Sequence, residues 1–539
     1  MQQVIFKSFE KTEFVKIPTA AKPEISGGFL YVPPQALPGI AYNAFTNVSF
    51  FLRQTHLKLL ASNAACALPN EKLIINALLE NAVIASKKEL CLCQDSGTAC
   101  VYAWKDEGVI TGTNDRAALE QGIASAYSKN YLRASQIAAK SFFEEVNTKN
   151  NLPAHIHIEA APKINTEPVY RFLFSAKGGG SANKTQFFTM TKALLEETAF
   201  DNFLKEKIYS LGSAACPPYR LAVVVGGSAP EENLTALKLA TTEILDTAPY
   251  FDGGKAAALY RDEFWERRAM EHAKNSGIGA QFGGNCLCLD VRVLRLPRHA
   301  ASLFVSVGVS CSAHRNCLGF IGKDGVFLEK LEQNPAEFLK TFEFEAENQF
   351  VSGTALSKSD KNNHNSGRIA EIGKINLDRP LNDVLTGLKK YKAGEKIFLN
   401  GKILVARDAA HLRWHKLIAE GKPLPDYLFR YPVFYAGPAG TPPGHLIGSL
   451  GPTTAGRMDI YAEELLSRGA SLITIAKGNR SALWSEPCKK YGGCYLGVAG
   501  GTAALIASRS IESAAVIDYP DLDMEAVRLV AVKDLLAFL

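Results

Sequence analysis

A long polar stretch at about residues 346–372 constrains the fold of this chain more than any other feature. It is rich in Ser, Asn and Lys, as in SGTALSKSDKNNHNSG, and has no steady period. Such a composition predicts a linker or a long exposed loop. The chain has 539 residues, which is too many for one ordinary core and predicts two large domains or three smaller ones. We place a large domain at 1–345, a linker at 346–372 and a smaller domain at 373–539.

The spacing of apolar residues predicts a mixed α/β protein. In the N-terminal part, HIHIEAA and VYRFLFSA alternate as strands do, whereas EKLIINALLENAVIAS and DEFWERRAMEHAKNSG repeat with the helical period. In the C-terminal part, the strand-like segments SLITIA, CYLGVAG and SAAVIDY alternate with helices such as RMDIYAEELLSRG. There, KIFLNGKILVARD predicts a β-hairpin that turns at Asn400-Gly401.

The overall composition excludes several classes of protein. Hydrophobic residues make up 47% and charged residues 21% of the chain, and no apolar run is long enough to cross a bilayer. The N-terminus lacks the apolar core of a signal peptide, and it carries Glu10 and Glu13 but no Arg, unlike a transit peptide. A cytoplasmic protein is therefore expected. The net charge of +6 is dispersed, which suits an acidic small molecule and does not favour a nucleic-acid or membrane partner.

Three of the eleven cysteines differ from the others in their setting. Cys93 in CQDSGT, Cys216 in GSAACPPYR and Cys311 in GVSCSAHRN each lie at a predicted strand boundary, beside small residues or proline, where backbone can approach an inorganic ligand. None belongs to a CxxC pair, which disfavours a structural zinc site or a ferredoxin-type cluster. From spacing alone, buried thiols are the simpler interpretation, and a metal cluster held between loops with one open position is the alternative.

The other cysteines are predicted to be small buried hydrophobes. This prediction covers Cys66, Cys100, Cys317, Cys488 and Cys494. The pair Cys286 and Cys288 in CLC would share one face of a strand and lie in the core.

Cations beside glycine-rich loops indicate an anionic ligand. KGGGSANK at 177–184 lacks the Walker A order, and GIGAQFGG has no βαβ unit around it, so neither predicts nucleotide binding. GSLGPTTAGRMD is better placed, because it opens a predicted helix near Arg457 and helix N-termini attract anions; an ordinary N-cap with a surface arginine is the alternative. Four cations, each alone a typical surface charge, together suit a dicarboxylate: Arg133, Arg407, Arg457 and Lys477. His299 in LPRHAAS is either a proton carrier or a structural histidine.

Seven segments resemble those of the class I, iron–sulfur-dependent fumarases, a family that includes the L-tartrate dehydratases. They are CQDSGTA, KGGGSANKT, AACPPYRLAVVVGG, DVRVLRLPRHAAS, VGVSCSAHRN, YAGPAGTPPGHLIGSLGPTTAGRMD and AKGNRS, and they occur in the family's order. The resemblance implies a hydro-lyase that reversibly hydrates fumarate to (S)-malate. The alternatives are a related diacid hydro-lyase, such as an L-tartrate dehydratase or a mesaconase, and a binding or regulatory protein that has lost its cofactor.

The resemblance also implies a cofactor and a set of site residues. The cofactor is a [4Fe–4S] cluster held by Cys93, Cys216 and Cys311, with an open fourth iron that acts as a Lewis acid. The substrate-binding residues would be Gln94, Asp95, Arg133, Gly180, Arg407, Thr453, Arg457 and Lys477. For catalysis, the resemblance implies Asp95 as the acid that protonates the departing hydroxyl, Thr453 as the base, and His299 as a residue that orients the substrate.

The family further implies an architecture and an assembly. The larger part would be an α+β domain that binds the cluster, the smaller part a swivelling β/α domain that closes on the substrate, and the protein a homodimer. Two residues depart from the family pattern: Ser96 stands where Thr is usual, and His314 stands where Asp is common. Neither is a predicted ligand, but His314 is close to Cys311 in sequence and would alter the potential or stability of the cluster.

Overall fold

The computed structural model describes residues 1–163, 167–253, 258–342, 344 and 372–539. The α-helices in these ranges are α1 (Gln2–Glu10), α2 (Ala36–Phe50), α3 (Gln54–Cys66), α4 (Pro69–Ala85), α5 (Asp115–Lys129), α6 (Gly179–Ala182), α7 (Glu197–Ser210), α8 (Pro230–Ala240), α9 (Glu263–Asn275), α10 (Pro335–Lys340), α11 (Leu381–Leu388), α12 (Asp408–Ala419), α13 (Ala462–Leu466), α14 (Ala482–Tyr491) and α15 (Ala503–Arg509). Shorter 3₁₀ helices cover Lys192–Leu195, Asp426–Phe429, Ala455–Tyr461 and Pro520–Glu525.

The β-strands of the described residues belong to both parts of the chain. They are β1 (Phe14–Ile17), β2 (Glu24–Ser26), β3 (Phe29–Tyr31), β4 (Thr98–Asp106), β5 (Val109–Ile110), β6 (Ile137–Ala139), β7 (Glu145–Asn147), β8 (His155–Ala161), β9 (Tyr170–Lys177), β10 (Gln186–Met190), β11 (Tyr219–Gly227), β12 (Tyr260–Arg261), β13 (Cys288–Arg298), β14 (Leu303–Ser310), β15 (Asn316–Gly322), β16 (Gly325–Glu329), β17 (Gly373–Asn376), β18 (Lys396–Ala406), β19 (Val433–Tyr435), β20 (Ile473–Ala476), β21 (Cys494–Gly497), β22 (Ile511–Asp518) and β23 (Val527–Phe538).

Three large sheets organise these strands. A six-stranded sheet has the order β1-β16-β15-β9-β4-β8, and a five-stranded sheet has the order β10-β14-β11-β13-β12. A seven-stranded sheet, β17-β18-β19-β20-β21-β23-β22, takes all of its strands from the C-terminal part. Its β17 to β21 run parallel, with β23 antiparallel to β18. The prediction of a mixed α/β fold is confirmed.

The two parts of the chain share a hydrophobic cluster. Residues of α3 and α4 pack in it with Leu505 and with Phe538 at the end of β23. The ring of Phe282 stacks on that of Phe538, with centroids 3.9 Å apart. Asn81 of α4 accepts hydrogen bonds from Ala504 N at 2.8 Å and Leu505 N at 3.0 Å, which fastens α4 to the first turn of α15. The predicted linker falls outside the described residues over 346–371.

The predicted hairpin at Asn400-Gly401 is wrong. Residues Lys396–Ala406 form the single strand β18, which pairs with β23 on both sides of Gly401 through a register shift. Gly401 has φ +118°, and a Cβ there would lie 3.0 Å from Asp378 Cγ. The backbone freedom that would allow a turn here allows a β-bulge instead, because a partner strand runs along the whole segment.

The outcome for the cysteines is mixed. Cys100 and Cys317 are buried as predicted, and so are Cys286 and Cys288 of the CLC pair. Cys488 and Cys494 are only half-buried, and Cys66 is exposed because it ends α3 at the surface. The prediction was therefore wrong for Cys66. Separately, none of the described helices is both long and apolar enough to cross a membrane.

Candidate active site

One cavity gathers the three predicted cysteines and nearly all of the predicted substrate residues. It lies where loops of the two parts of the chain meet, and its free volume of about 70 Å³ suits a small molecule. Its N-terminal lining residues are Cys93, Gln94, Asp95, Arg133, Gly178, Gly179, Gly180, Ser181, Asn183, Ala215, Cys216, Cys311 and Arg315. Its C-terminal lining residues are Arg407, Gly437, Gly451, Pro452, Thr453, Thr454, Arg457 and Lys477.

Hydrogen bonds to backbone carbonyls hold the turn at 93–97. Tyr127 Oη donates to Ser96 O at 3.2 Å and to Gly97 O at 2.7 Å. Arg315 Nη1 donates to Ser96 O at 3.0 Å. Gly97 has φ +81°, and a Cβ there would lie 2.7 Å from the backbone of the last residue of β9, so the turn requires glycine. The turn leads directly into β4, as predicted, but the apolar residues before it are not a strand.

Paired strands bring the other two cysteines together. Cys216 lies just before β11 and Cys311 just after β14, and these two strands pair antiparallel, so the two residues meet at one end of the pair. Ser312 N donates to Cys216 O at 3.1 Å, which ties the two loops to each other. Cys216 has φ +62°, a left-handed conformation that is uncommon outside glycine.

Burial controls the ionisation of these thiols. Together with Asp95 and the other two cysteines, it raises the pKa of Cys93 to about 12, against the opposing charge of Arg315. Burial also raises the pKa of Cys216, although Lys477 Nζ lies 2.7 Å from its Sγ. A bound cation reverses this preference, because the thiolate is the form that ligates metals.

The surroundings of the thiols fit a cluster better than a single ion. Within the described ranges, no group of three or more His, Cys, Asp or Glu side chains could hold one metal ion. A Cβ on Gly500 would overlap Cys216 Sγ, and a Cβ on Gly501 would lie 2.8 Å from Ser312 Oγ. The Ser312 hydroxyl is buried, and no described residue satisfies it. Three separated thiols, glycine backbone and a free hydroxyl donor are compatible with a larger inorganic group such as a [4Fe–4S] cluster.

Three arginines, Arg133, Arg407 and Arg457, also line the cavity and concentrate positive charge there. Burial and the charge of Arg407 lower the pKa of Arg133 to about 10. Burial, with a contribution from Arg407, also lowers the pKa of Arg457. Arg407 itself lies 3.1 Å from Asp408 and 3.3 Å from Glu525. Arg133 and Arg407 are buried, whereas 38% of the Arg457 side chain is exposed. Like charges held close together favour a ligand that carries more than one negative charge.

Asp95 is held as a carboxylate. Burial alone would raise its pKa, but the charges of Arg133 and Arg315 and the Gly179 N–H lower it below its ordinary value. Asp95 Oδ2 accepts the hydrogen bond from Gly179 N at 2.7 Å. A Cβ on Gly178 would lie only 3.0 Å from the same oxygen, so the glycine-rich loop lets backbone donors reach the carboxylate. Gly180 of this loop lines the cavity beside them.

Backbone contacts fix Thr453. Its N–H donates to Tyr435 O at 2.7 Å, and its carbonyl accepts from Lys477 N at 3.2 Å. Arg457 Nη2 donates to Thr453 Oγ1. The segment that follows is the 3₁₀ helix Ala455–Tyr461 rather than the predicted α-helix. Cationic side chains, not an α-helix terminus, therefore supply the positive charge here.

Gln94 joins the two walls of the cavity. Its Nε2 donates to Pro452 O at 3.3 Å, across the junction between the two parts of the chain. A Cβ on Gly451 would lie 2.6 Å from Gln94 Oε1, so a larger residue there would displace the Gln94 amide.

Among the predicted site residues, His299 alone does not line the cavity. It is exposed in the turn after β13, and its Nδ1 accepts a hydrogen bond from Ala301 N at 3.2 Å. His314, which departs from the family pattern, does not line the cavity either. Its Nδ1 lies 3.0 Å from Ser310 Oγ and its Nε2 lies 3.1 Å from Glu243 Oε1. Burial lowers the pKa of His314 to about 3, so the imidazole is neutral.

Sequence reasoning missed Arg315. This arginine is buried, lines the cavity and lowers the pKa of Asp95. Its place in VGVSCSAHRN, four residues after Cys311, was the available signal. A charged residue in a loop is usually exposed, which is why the pattern alone did not single it out.

Comparison with known proteins gives matches along the whole chain. A family model described as fumarate hydratase (Fumerase) matches residues 39–319, and one described as the fumarase C-terminus matches residues 325–539. The chain is 42% identical over 536 residues to fumarate hydratase 2 of Leishmania major, covering 98% of this chain and 90% of the relative. It is 43% identical over 512 residues to the aerobic class I fumarate hydratase of Salmonella typhimurium, and the match covers 95% of this chain and 84% of the relative. It is also 43% identical over 512 residues to the anaerobic class I fumarate hydratase of Escherichia coli, and this match covers 95% of this chain and 89% of the relative.

Proposed function

Because the chain belongs to the class I fumarate hydratase family and is a hydro-lyase, we propose that it reversibly hydrates fumarate to (S)-malate with a [4Fe–4S] cluster. The observation that carries the proposal is a single cavity that is lined both by three thiols and by four cations, Arg133, Arg407, Arg457 and Lys477. The thiols suit the cofactor, and the cations suit a substrate with two carboxylates.

Cys93, Cys216 and Cys311 would hold the cluster. When bound, it supplies Lewis-acid chemistry that helps the substrate hydroxyl to leave. Lys477, 2.7 Å from Cys216 Sγ, and Arg315, whose charge acts on Cys93, balance the negative charge of the thiolates.

The arginines bind and orient the substrate. Arg133, Arg407 and Arg457 offer planar donor pairs that match carboxylate geometry. Arg133 and Arg407 are buried, so their charges act with little screening by water. The same donors stabilise the extra negative charge that develops on a carboxylate when the neighbouring carbon loses its proton.

Two residues handle the protons. In the hydration direction, the Asp95 carboxylate accepts a proton from the water whose oxygen bonds to C2, and the Thr453 hydroxyl gives its proton to C3. Dehydration reverses both transfers. Arg457, which donates to Thr453 Oγ1, stabilises negative charge on that oxygen, and a hydroxyl is a poor base without such help.

The domain organisation and assembly belong to the same proposal. Separate sheets support a cluster-binding domain at 1–345, a linker at 346–372 and a swivelling domain at 373–539. Swivelling would open and close the cavity, because each part contributes some of its lining. Since His299 lies outside the cavity of its own chain, a role for it would need a second copy, as in a homodimer. The cytoplasmic location stays a prediction.

An anaerobic assay of the cluster-reconstituted protein tests the function. Fumarate, L-tartrate and mesaconate are compared in parallel at equal enzyme concentration. We expect the highest kcat/KM with fumarate, measured as loss of its ultraviolet absorbance and appearance of malate. A higher kcat/KM with L-tartrate or mesaconate would assign the enzyme to a related diacid. No turnover of any of the three by protein that holds its cluster would favour a binding protein.

The substitution Arg457→Lys tests the carboxylate-binding role. Lysine keeps the positive charge but loses the planar fork. We expect kcat/KM for fumarate to fall about 100-fold, or about 2.7 kcal/mol, with the visible spectrum of the cluster unchanged. Arg468→Lys is the control, because Arg468 is exposed and, among the residues that the structure describes, donates to the backbone carbonyl of Glu464. Equal activity of the two variants would make Arg457 an ordinary surface charge.

A further inference from the structure

Arg480 occupies a buried box of three aromatic rings next to the cavity. Its guanidinium carbon lies 4.4 Å from the ring centroid of Trp484, 5.3 Å from that of Tyr495 and 5.4 Å from that of Tyr435. Only 5% of the side chain is exposed. Arg480 does not line the cavity, and the proposed reaction does not use it.

A buried carboxylate pairs with this guanidinium. Asp459 Oδ1 lies 2.8 Å from Arg480 Nε, which is an ion pair without hydrogen-bond geometry, and the Asp459 side chain is 1% exposed. Asp459 Oδ2 accepts hydrogen bonds from Ser481 N at 2.7 Å and Ser481 Oγ at 2.8 Å. Asp459 lies two residues after Arg457 in the 3₁₀ helix, and Arg480 lies three residues after Lys477. The pair therefore connects the two segments that present these cations.

The walls of the box hold the same segments. Tyr435 O accepts the hydrogen bond from Thr453 N at 2.7 Å. Tyr495 Oη donates to Gly478 O at 2.7 Å, directly after Lys477. The two segments also contact each other, because Lys477 N donates to Thr453 O at 3.2 Å and Lys477 O accepts from Ala455 N at 2.9 Å.

We propose that Arg480 is a positioning residue that fixes Thr453, Arg457 and Lys477 relative to one another. This inference rests on the proposed function, which gives those three residues their roles. A planar guanidinium can stack on aromatic rings while it pairs with a carboxylate, whereas an ammonium offers no plane. A displacement of about 1 Å in a positioned group can cost on the order of 100-fold in rate. Loss of the planar guanidinium of Arg480 therefore lowers turnover, although no group that lines the cavity is removed.

The substitution Arg480→Lys in the cluster-loaded full chain tests the proposal. It keeps a positive charge opposite Asp459 and removes the stacking plane. We expect kcat for fumarate hydration to fall at least about 10-fold and KM to rise, with the cluster absorbance unchanged. Fumarate turnover, the visible spectrum and the thermal unfolding midpoint are measured on the same preparations.

Arg171→Lys is the matched control. Arg171 is also a buried arginine; its Nη1 lies 2.8 Å from Asp106 Oδ1, and its guanidinium lies 4.5 Å from the ring of Phe6. It sits six residues before the end of β9, or about 20 Å along the strand, and does not line the cavity. We expect a similar loss of unfolding midpoint with kcat and KM near wild type. If Arg480→Lys affects kcat and KM no more than Arg171→Lys, the positioning role is refuted.

Two further measurements keep the proposal testable. If Arg480→Lys does not fold, Tyr495→Phe is tested instead. It keeps the aromatic wall and removes the hydroxyl that holds Gly478. A several-fold fall in kcat supports the proposal, and a wild-type kcat overturns it.

If the wild-type enzyme hydrates no fumarate, the proposed function fails first. Calorimetric titration with succinate then tests positioning: weaker binding to Arg480→Lys than to Arg171→Lys supports it, and equal affinity refutes it.

Discussion

Serine in place of Cys93, Cys216 or Cys311 is expected to abolish fumarate hydration, one substitution at a time. The hydroxyl of serine does not ionise in the pH range in which a thiol does, so serine does not replace a thiolate ligand. We expect kcat to fall by at least about 1,000-fold, which corresponds to about 4 kcal/mol. The iron content of the anaerobically reconstituted protein should fall in parallel, together with its visible absorbance. Iron analysis makes the outcome independent of activity.

Two other cysteines serve as controls for this experiment. Cys286 is buried, and its Sγ lies 3.5 Å from Asn63 Oδ1, so a serine there finds an acceptor. Cys66 is exposed. Cys286→Ser and Cys66→Ser should both keep the iron and the activity of the wild type. Full iron content in a variant of one of the three cavity cysteines would remove that residue from the ligand set.

The sequence predicted the site better than it predicted the local structure around it. Cys93, Cys216 and Thr453 lie in three of the seven segments that resemble the family, and the structure brings them into one cavity. Arg480 and Asp459 were not assigned a role, because a charged residue in a loop or at the start of a helix has no sequence signal that tells burial from exposure. The lowered pKa of Asp95 is not predictable from the sequence for a related reason. Its charged partners come from separate segments, and only the fold brings them together.

Long-range contacts explain the local errors. Asn400-Gly401 has the composition of a hairpin turn, but pairing with β23 along the whole segment produces a bulged strand. Helix α2 was not predicted, because ALPGIAYNAFTNVSF is buried on most of its surface and contains Pro38-Gly39 near its start. A helix that is apolar on most sides shows little 3.6-residue period. For the predicted hairpin, the deciding partner strand lies far away in sequence.

Thr453→Ala and Asp95→Asn are each expected to abolish most turnover while the cluster remains. Alanine removes the hydroxyl that accepts the Arg457 hydrogen bond and exchanges a proton with C3. Asparagine keeps the shape of Asp95 but neither accepts nor gives the proton of the added water. We expect kcat to fall by at least about 100-fold in each variant, the lower end of what a positioned acid or base contributes. Turnover of fumarate and the cluster spectrum are the measurements.

Isotope exchange separates the two roles. In deuterated water, exchange of the C3 hydrogen of malate should survive Asp95→Asn better than Thr453→Ala, because only Thr453 acts on C3. Thr453→Ser keeps the hydroxyl and should retain much of the exchange, which distinguishes chemistry from packing. The opposite ranking would swap the two roles. Full activity in Thr453→Ala would remove Thr453 as the base. His299→Asn should have a milder effect, since the His299 side chain lies outside the cavity.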